Sequence, residues 1–278
     1  MRLPIAVARR AGRDNVSMLA AGVAFYAFVG IPSGLTAIVS VYGLIFDRAD
    51  VERHLGMLAD ILPSDAINVL WSFLGMLAAT PEATLSLRFF AGLFVALWSA
   101  QSAAGSMIVA LNAIYDKDET RSFLRYQLSA FLLAACSIVF TFLSLCLSTI
   151  FSIVLASLPL TDGTRNAIGA ARWLLLAVMV AAAISGVYRF APARSTAQQS
   201  WGIWGVGLTT IVWIGSSALF ALYATNIASY DASYGSLGAI VVLLLWIYLA
   251  IFIVLLGAEL NAELIDRATP LPIANAHR

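Results

Sequence analysis

The sequence predicts an all-α polytopic membrane protein with six transmembrane helices and an amphipathic helical pair in its first outer loop. Two observations predict this class. Of the 278 residues, 61% are hydrophobic and only 11% are charged, whereas a soluble domain carries about 25% charged residues. The charges also leave long gaps, and most of these gaps reach the roughly 17–25 residues that a spanning helix needs. We therefore interpret 1–278 as a single integral membrane domain.

The six spans follow from the charge-free stretches. The fourth stretch is the shortest, but it is almost wholly apolar, and Arg172 and Arg189 at its two ends can extend their charged groups to the interface. The predicted spans are at about 16–46, 89–113, 127–156, 168–188, 201–225 and 235–264.

The segment 51–79 is apolar on one helical face only, which is typical of helices that lie at an interface. Pro63 interrupts the pattern, and Ser64 is a candidate N-cap for a second helix. We interpret 51–79 as two amphipathic helices that lie on the membrane surface or fold over the bundle.

The basic residues predict the orientation, because cytoplasmic loops carry an excess of Lys and Arg. Six spans with a cytoplasmic N-terminus place eleven of the 16 basic residues inside: Arg2, Arg9, Arg10, Arg13, Lys117, Arg121, Arg125, Arg189, Arg194, Arg267 and Arg278. Treating 66–81 as a seventh span would leave only seven inside. We therefore expect a multi-pass protein of a bacterial inner membrane with both termini in the cytoplasm.

The sequence lacks the motifs of known catalytic and metal sites. His54 and His277 are predicted on opposite sides of the membrane, and no cysteines and histidines have metal-ligand spacing. A net charge of +1 provides no field for nucleic acid. We therefore expect a protein that is not an enzyme and has no catalytic residues, metal, cofactor or nucleic-acid partner. The expected partners are membrane lipids and, through 51–79, an envelope protein, while the sequence indicates no oligomeric state.

The first two spans contain three candidate functional residues. Pro32 interrupts span 1 between Gly30 and Gly34, and proline in a helix interior costs roughly 3 kcal/mol unless neighbours compensate. It indicates a kink with close helix packing, or a hinge or cavity wall. Gln101 and Asn112 lie about three turns apart in span 2 and so share a face. They form either interhelical hydrogen bonds or part of a polar path.

Span 6 carries the other candidates at its two ends. Tyr234 and Gly235 begin it, as interface residues or as ligand contacts. Glu259 and Asn261 lie near its cytoplasmic end, and Glu259 shares a face with Glu263. Glu259 is interpreted as a solvated helix end, as an ion-pair partner of Arg121, Arg125 or the N-terminal arginines, or as a functional carboxylate inside the membrane.

Several segments together resemble the YihY/virulence factor BrkB family. The resemblance covers roughly residues 10–266, and its most specific motifs are the last two. The segments that carry it are AAGVAFYAFVGIPSG (20–34), LWSAQSAAGSMIVALNAIYD (97–116), YRFAP (188–192), YGSLGAIVVLLLWIYL (234–249) and LLGAELNAEL (255–264).

The resemblance implies a six-helix inner-membrane protein and little biochemistry. Members have been labelled a tRNA-processing ribonuclease, but this sequence has no nuclease site and no large basic face. Other members are associated with serum resistance and with envelope lipid biogenesis. We therefore expect transport or handling of a lipid or envelope component, with a membrane scaffold or partner subunit of an envelope complex as the alternative.

Overall fold

A computed structural model of the protein describes residues 3–45, 82–157, 161–193, 202–227 and 236–268. The predicted pair at 51–79 and the candidates Tyr234 and Gly235 lie outside these residues. The described ranges contain no strand and form seven helices: α1 (Leu3–Arg13), α2 (Val16–Ile45), α3 (Glu82–Ile114), α4 (Phe123–Ser157), α5 (Asp162–Phe190), α6 (Gly202–Ile227) and α7 (Ser236–Ala268).

Helices α2 to α7 fall on the six predicted spans, but several of them extend further. Helix α3 begins at Glu82 and α5 at Asp162, each six or seven residues before the predicted span. The difference has a simple cause, since charge-free gaps mark the hydrocarbon layer and a helix continues past that layer. At the start of α5 the Thr161 hydroxyl accepts a hydrogen bond from the Thr164 amide, as an N-cap does.

Five of the described helices are long and apolar enough to cross a membrane. These stretches are Val16–Gly34, Ser86–Ile114, Phe123–Phe151, Ala167–Phe190 and Ile240–Arg267. Helix α6 has a shorter apolar stretch, Gly205–Phe220, which extends about 24 Å at 1.5 Å per residue and is shorter than the roughly 30 Å hydrocarbon layer.

The N-terminal segment before the first predicted span is a helix, which the sequence analysis did not predict. Helix α1 ends at Arg13, and the chain turns into α2 through Asn15, which has a positive φ of 52°. Asparagine tolerates this left-handed conformation better than most residues. The turn is closed by a hydrogen bond of 2.8 Å from the Asp14 amide to the Arg10 carbonyl. Residues 3–13 therefore form a separate short helix that is not continuous with span 1.

The described chain divides into two compact units. The first comprises Met1–Phe25 and Gln101–Arg278, and the second Tyr26–Ala100. In the first unit α6 packs on α7, α5 packs on α6, α4 packs on α5, and α1 packs on the C-terminal part of α7. Only 6% of the α4 and α5 spans is buried, compared with 22% of the α7 span. Helix α7 is therefore the inner helix of this unit.

Helices α4, α5 and α6 expose large apolar side chains, and this exposure would be unfavourable in water. Phe142 of α4 and Ile211 of α6 are each 70% exposed, and Leu174 of α5 is 68% exposed. Exposed apolar surface on this scale marks a membrane or protein interface in a soluble fold. Because Phe142 and Leu174 lie on apolar helices long enough to cross a membrane, hydrocarbon is the environment that accounts for their exposure.

Candidate functional site

A cluster of charged residues joins α1 to the C-terminal part of α7. The Arg10 guanidinium lies 3.3 Å from Glu259 through Nε, and its Nη1 donates to Asp266. Glu263 and Asp116 each lie 3.9 Å from it, and its Nη2 donates to the Ile114 carbonyl at 3.3 Å. We call Arg10, Asp116, Glu259, Glu263 and Asp266 the Arg10 cluster. One guanidinium therefore connects α1, the end of α3 and α7.

Glu259 is fully buried within this cluster, with none of its side chain exposed. Its Oε2 accepts the hydrogen bond from Arg10, whereas its Oε1 has no partner among the described residues. The ion pair with an N-terminal arginine was one of the sequence-based interpretations of Glu259, and the structure identifies that arginine as Arg10. A solvated helix end is wrong, because α1 covers the carboxylate. Burying a carboxylate is costly unless it is paired.

Asn261 lies two residues further along α7 and faces α6. It is 1% exposed and packs directly on Gly205, where any added Cβ would overlap the Asn261 amide. The site therefore needs glycine at position 205, which was not among the candidates from the sequence. Asn261 also hydrogen-bonds to the Tyr115 hydroxyl. Burial raises the pKa of Tyr115 to about 12, the hydrogen bond to Asn261 opposes this shift, and the nearby Glu259 adds to it.

A second close contact lies about one turn away, where α5, α6 and α7 meet. Thr209 of α6 donates to the Gly205 carbonyl at 2.6 Å and lies 3.3 Å from the Tyr188 hydroxyl. Tyr188 of α5 donates to the Val254 carbonyl of α7 at 2.5 Å. These hydroxyls lie over Gly257, at which an added Cβ would overlap Thr209. Glycine thus allows two polar side chains to be buried between three helices.

The same face of α6 continues into a crevice against α7. Trp213, Ser216, Ser217 and Trp246 line it together with apolar residues of α7, and it is a shallow, partly open crevice that encloses no space for a water molecule. The two tryptophan rings meet edge to face with centroids 6.2 Å apart. Positions 205, 209, 213 and 217 are each one turn apart, so they form one stripe along α6. We call Thr209, Ser216 and Ser217 of α6, together with Tyr188 of α5 and Asn261 of α7, the polar row.

Asn112 lies at a different place in this unit and holds two loops. Its Oδ1 accepts a hydrogen bond of 2.7 Å from the Ala193 amide, and its Nδ2 donates to Glu119 at 2.9 Å. Arg121 pairs with Glu119 at 2.7 Å and donates to the Ala191 carbonyl at 3.0 Å. The side chain is therefore fully engaged in joining the end of α3 to the segment after α5.

Replacing Asn112 with alanine is expected to destabilise this connection. It leaves the buried Ala193 amide without an acceptor, which costs about 1–3 kcal/mol. Hydrogen exchange should accelerate at Ala193, and limited proteolysis should accelerate in residues 115–122. The matched control is Ala113→Ser, because Ala113 lies beside Asn112 on α3 and is exposed. Unchanged exchange at Ala193 in the Asn112 variant would contradict the assigned contact.

The Glu119 carboxylate makes the same connection sensitive to acid. The hydrogen bonds from Arg121 hold the pKa of Glu119 at about 2, below its ordinary value of 4.5. Because the folded-state pKa is depressed, the stabilisation is complete above about pH 4.5 and is lost as the pH falls towards 2. Proteolysis of the 115–122 loop should accelerate across that range in the natural protein. Glu119→Gln should lose the pH dependence, and a variant that keeps it would refute this assignment.

Gln101 and Pro32 are not among the residues that contact Arg10. Gln101 of α3 donates to Gln127 of α4 at 2.9 Å, which confirms an interhelical hydrogen bond. Pro32 is exposed and belongs to the second unit, where α2 continues unbroken through it. There a Cβ at Gly30 would lie 3.5 Å from the Ser99 side chain, and a Cβ at Gly92 would lie 3.0 Å from the Ser33 carbonyl. The glycines therefore support close packing of α2 and α3.

Of the candidates proposed from the sequence, Glu259 and Asn261 are brought to one end of α7, where they meet Arg10, Tyr115 and Gly205. Gln101 and Asn112 make separate contacts. In the described parts of the chain no three His, Cys, Asp or Glu residues are arranged to hold a metal ion. The importance of Gly205 and Gly257 had only a weak signal in the sequence, namely glycine within otherwise bulky apolar runs.

Comparison with known proteins identifies relatives along most of the chain. The ribonuclease-like protein YfkH of Bacillus subtilis (strain 168) is 32% identical over 191 residues, which cover 67% of this chain and 68% of YfkH. A UPF0761 membrane protein of Vibrio vulnificus (strain YJ016) is 36% identical over 96 residues, and one of Vibrio parahaemolyticus serotype O3:K6 (strain RIMD 2210633) is 40% identical over 93 residues. These two matches cover 34% of this chain and 30% and 29% of the Vibrio proteins.

The family assignment rests on a longer match. No solved structure matches the chain significantly. The family model for virulence factor BrkB matches residues 7–277, which include the C-terminal part of α1, the Arg10 cluster and the polar row. This protein therefore belongs to the virulence factor BrkB family and is a membrane protein with several apolar helices.

Proposed function

We propose that this protein handles a membrane lipid or another envelope component in a bacterial inner membrane, without catalysing a reaction on it. In this proposal all six helices α2 to α7 cross the membrane, and both termini are cytoplasmic. The Arg10 cluster is then at the cytoplasmic end of the bundle. The excess of basic residues in the predicted cytoplasmic segments supports this orientation.

The polar row is the single observation that carries the proposal. It begins at the buried Asn261, continues through Thr209 and Tyr188, and ends at Ser216 and Ser217 in the crevice. Polar side chains at membrane depth are rare on lipid-facing surfaces and are typical of substrate paths or of helix contacts. Hydroxyl groups along one stripe of α6 would satisfy a polar head group while its hydrocarbon chains stay in the bilayer.

The size of the crevice limits what the row can hold. The crevice has no enclosed space for even one water molecule. A head group would therefore lie across its open side, against Ser216 and Ser217, and not inside it. The proposal therefore places only the polar part of the substrate against α6 and leaves the rest in the surrounding lipid.

The experiment is a lipid-transfer assay in proteoliposomes, supported by native mass spectrometry from nanodiscs. Ser217→Leu should fill the crevice and reduce lipid transfer and co-purified lipid severalfold. Ala218→Leu is the matched control, because Ala218 is the next residue of α6 and is exposed. Equal activity of the two variants, or no transfer by the natural protein, would contradict the lipid-handling proposal.

A membrane scaffold or partner subunit is the second candidate, and the shallowness of the crevice favours it. Neither Gln101 nor Asn112 is among the residues that line this crevice. A scaffold would bind an envelope protein through 51–79. Co-purification of a stoichiometric protein partner with no lipid preference supports this candidate, and reporter fusions at residues 190–200 test the orientation.

A further inference from the structure

The Arg10 cluster has more negative than positive charge. Five carboxylates lie around it, and three arginines accompany them: Asp14, Asp116, Glu259, Glu263 and Asp266 with Arg10, Arg13 and Arg267. Arg13 and Arg267 pair mainly with Asp14 and Glu263 near the surface, at 2.7 and 2.8 Å. Arg10 is therefore the cation that reaches the buried Glu259.

The buried end of this cluster contains a hydrogen-bond acceptor that has no donor among the described residues. Glu259 is completely buried, and its Oε1 has no hydrogen-bond partner among the described residues. A buried carboxylate oxygen without a donor is costly. Arg10 shows that a planar cation with N–H donors fits these acceptors, because its guanidinium donates to Glu259, Asp266 and the Ile114 carbonyl at once.

Helix α1, which carries this guanidinium, has only a small apolar contact besides it. Ala6 is its one fully buried side chain in the described range, and Leu3, Val7 and Ala11 are partly buried. Ile5 is 54% exposed, and Pro4, Ala8, Arg9, Gly12 and Arg13 are exposed as well. Because Arg10 donates the hydrogen bonds from α1 to Glu259 and Asp266 of α7, a competing cation would weaken the attachment of α1.

We propose that Glu259, Glu263 and Asp266 form a binding site for an organic cation with N–H donors, such as a guanidinium or a primary ammonium group. Arg10 occupies this site as an internal ligand, and α1 covers it. A cationic ligand competes with Arg10 and releases α1 from α7. This site is independent of lipid handling, because it needs only the charge and burial of the cluster.

The first test is chemical rescue of Arg10→Ala with millimolar guanidinium chloride, measured as the melting temperature of the protein in detergent. Guanidinium should restore several degrees of the lost melting temperature. Sodium or tetramethylammonium chloride at equal ionic strength should not, since neither has an N–H donor. The double variant with Glu259→Gln should lose the rescue. If the three salts change the melting temperature equally, the proposed binding site is wrong and Arg10 serves only to stabilise the fold.

The second test keeps Arg10 and so remains informative where the first variant does not fold. Ala6→Cys, with Cys136 and Cys146 replaced by alanine, reports on α1, because Ala6 is only 7% exposed. Free ethylammonium should raise its labelling by a water-soluble maleimide severalfold, whereas tetramethylammonium should not. Labelling that no amine changes would overturn the proposal.

The source of the cation is distinguished in nanodiscs with the same cysteine variant. Phosphatidylethanolamine has an ammonium with N–H donors, whereas the choline group of phosphatidylcholine has none. Faster labelling in phosphatidylethanolamine than in phosphatidylcholine identifies a lipid head group as the ligand. Equal labelling in both lipids, with a response to free ethylammonium, identifies a soluble amine. Both outcomes support the site.

Discussion

Replacing Gly257 with alanine is expected to destabilise the protein strongly. The added methyl group would overlap Thr209 Oγ1 and would lie 2.5 Å from the Tyr188 hydroxyl and 2.9 Å from Thr209 Cβ. Neither neighbour can move cheaply, because Thr209 is bound to the Gly205 carbonyl and Tyr188 to the Val254 carbonyl. Overpacking typically costs about 1–3 kcal/mol and occasionally more, and here it would separate three helices.

The measurement is the melting temperature in detergent, together with the fraction of monodisperse protein. Gly215→Ala is the matched control, since nothing lies within 4 Å of a Cβ at Gly215 in α6. That variant should be neutral or slightly more stable, because alanine favours a helix over glycine by about 1 kcal/mol. If the two variants melt at the same temperature, the contact between α6 and α7 at Gly257 is not as close as described.

Arg10→Ala is expected to lower stability more than Glu259→Gln. Removing Arg10 leaves the buried Glu259 without its cation and releases Glu263, Asp266 and Asp116 to repel one another. Breaking a buried ion pair in this way costs about 3–5 kcal/mol. Glu259→Gln removes the buried charge and keeps a carbonyl oxygen for Arg10, which retains the other carboxylates.

The melting temperatures of Arg10→Ala and Glu259→Gln show which substitution destabilises the protein more. Arg9→Ala is the matched control, because Arg9 lies beside Arg10 on α1 and is exposed. It should melt close to the natural protein. A drop in Arg9→Ala as large as that in Arg10→Ala would mean that the general basic charge of α1, rather than the contact with Glu259, provides the stabilisation.

Much of the fold could be predicted from local composition. Gaps between charged residues located α2 to α7, because a long apolar segment is unstable in water whatever it packs against. The helix bounds differed by several residues, and α1 was not predicted, because its three arginines were used only to predict the orientation. The glycines near Pro32 were correctly expected to pack closely against another helix.

The candidate site was predictable only in part. Glu259 and Asn261 stood out as polar residues at the end of an apolar segment, so composition alone could identify them. Their partners could not be identified in the same way. Arg10 is one of several N-terminal arginines, and Gly205 and Gly257 are two of 19 glycines, with no local feature that separates them from the rest.

The sequence by itself determined that this chain is a helical membrane protein of the BrkB family, since hydrophobicity and motif similarity are properties of each segment alone. Only the tertiary structure decided that Arg10 meets Glu259 across 249 positions and that α1 covers that carboxylate. The physical reason is that a buried charge selects its partner by proximity in space. That proximity depends on which helices adjoin, and no single segment encodes it.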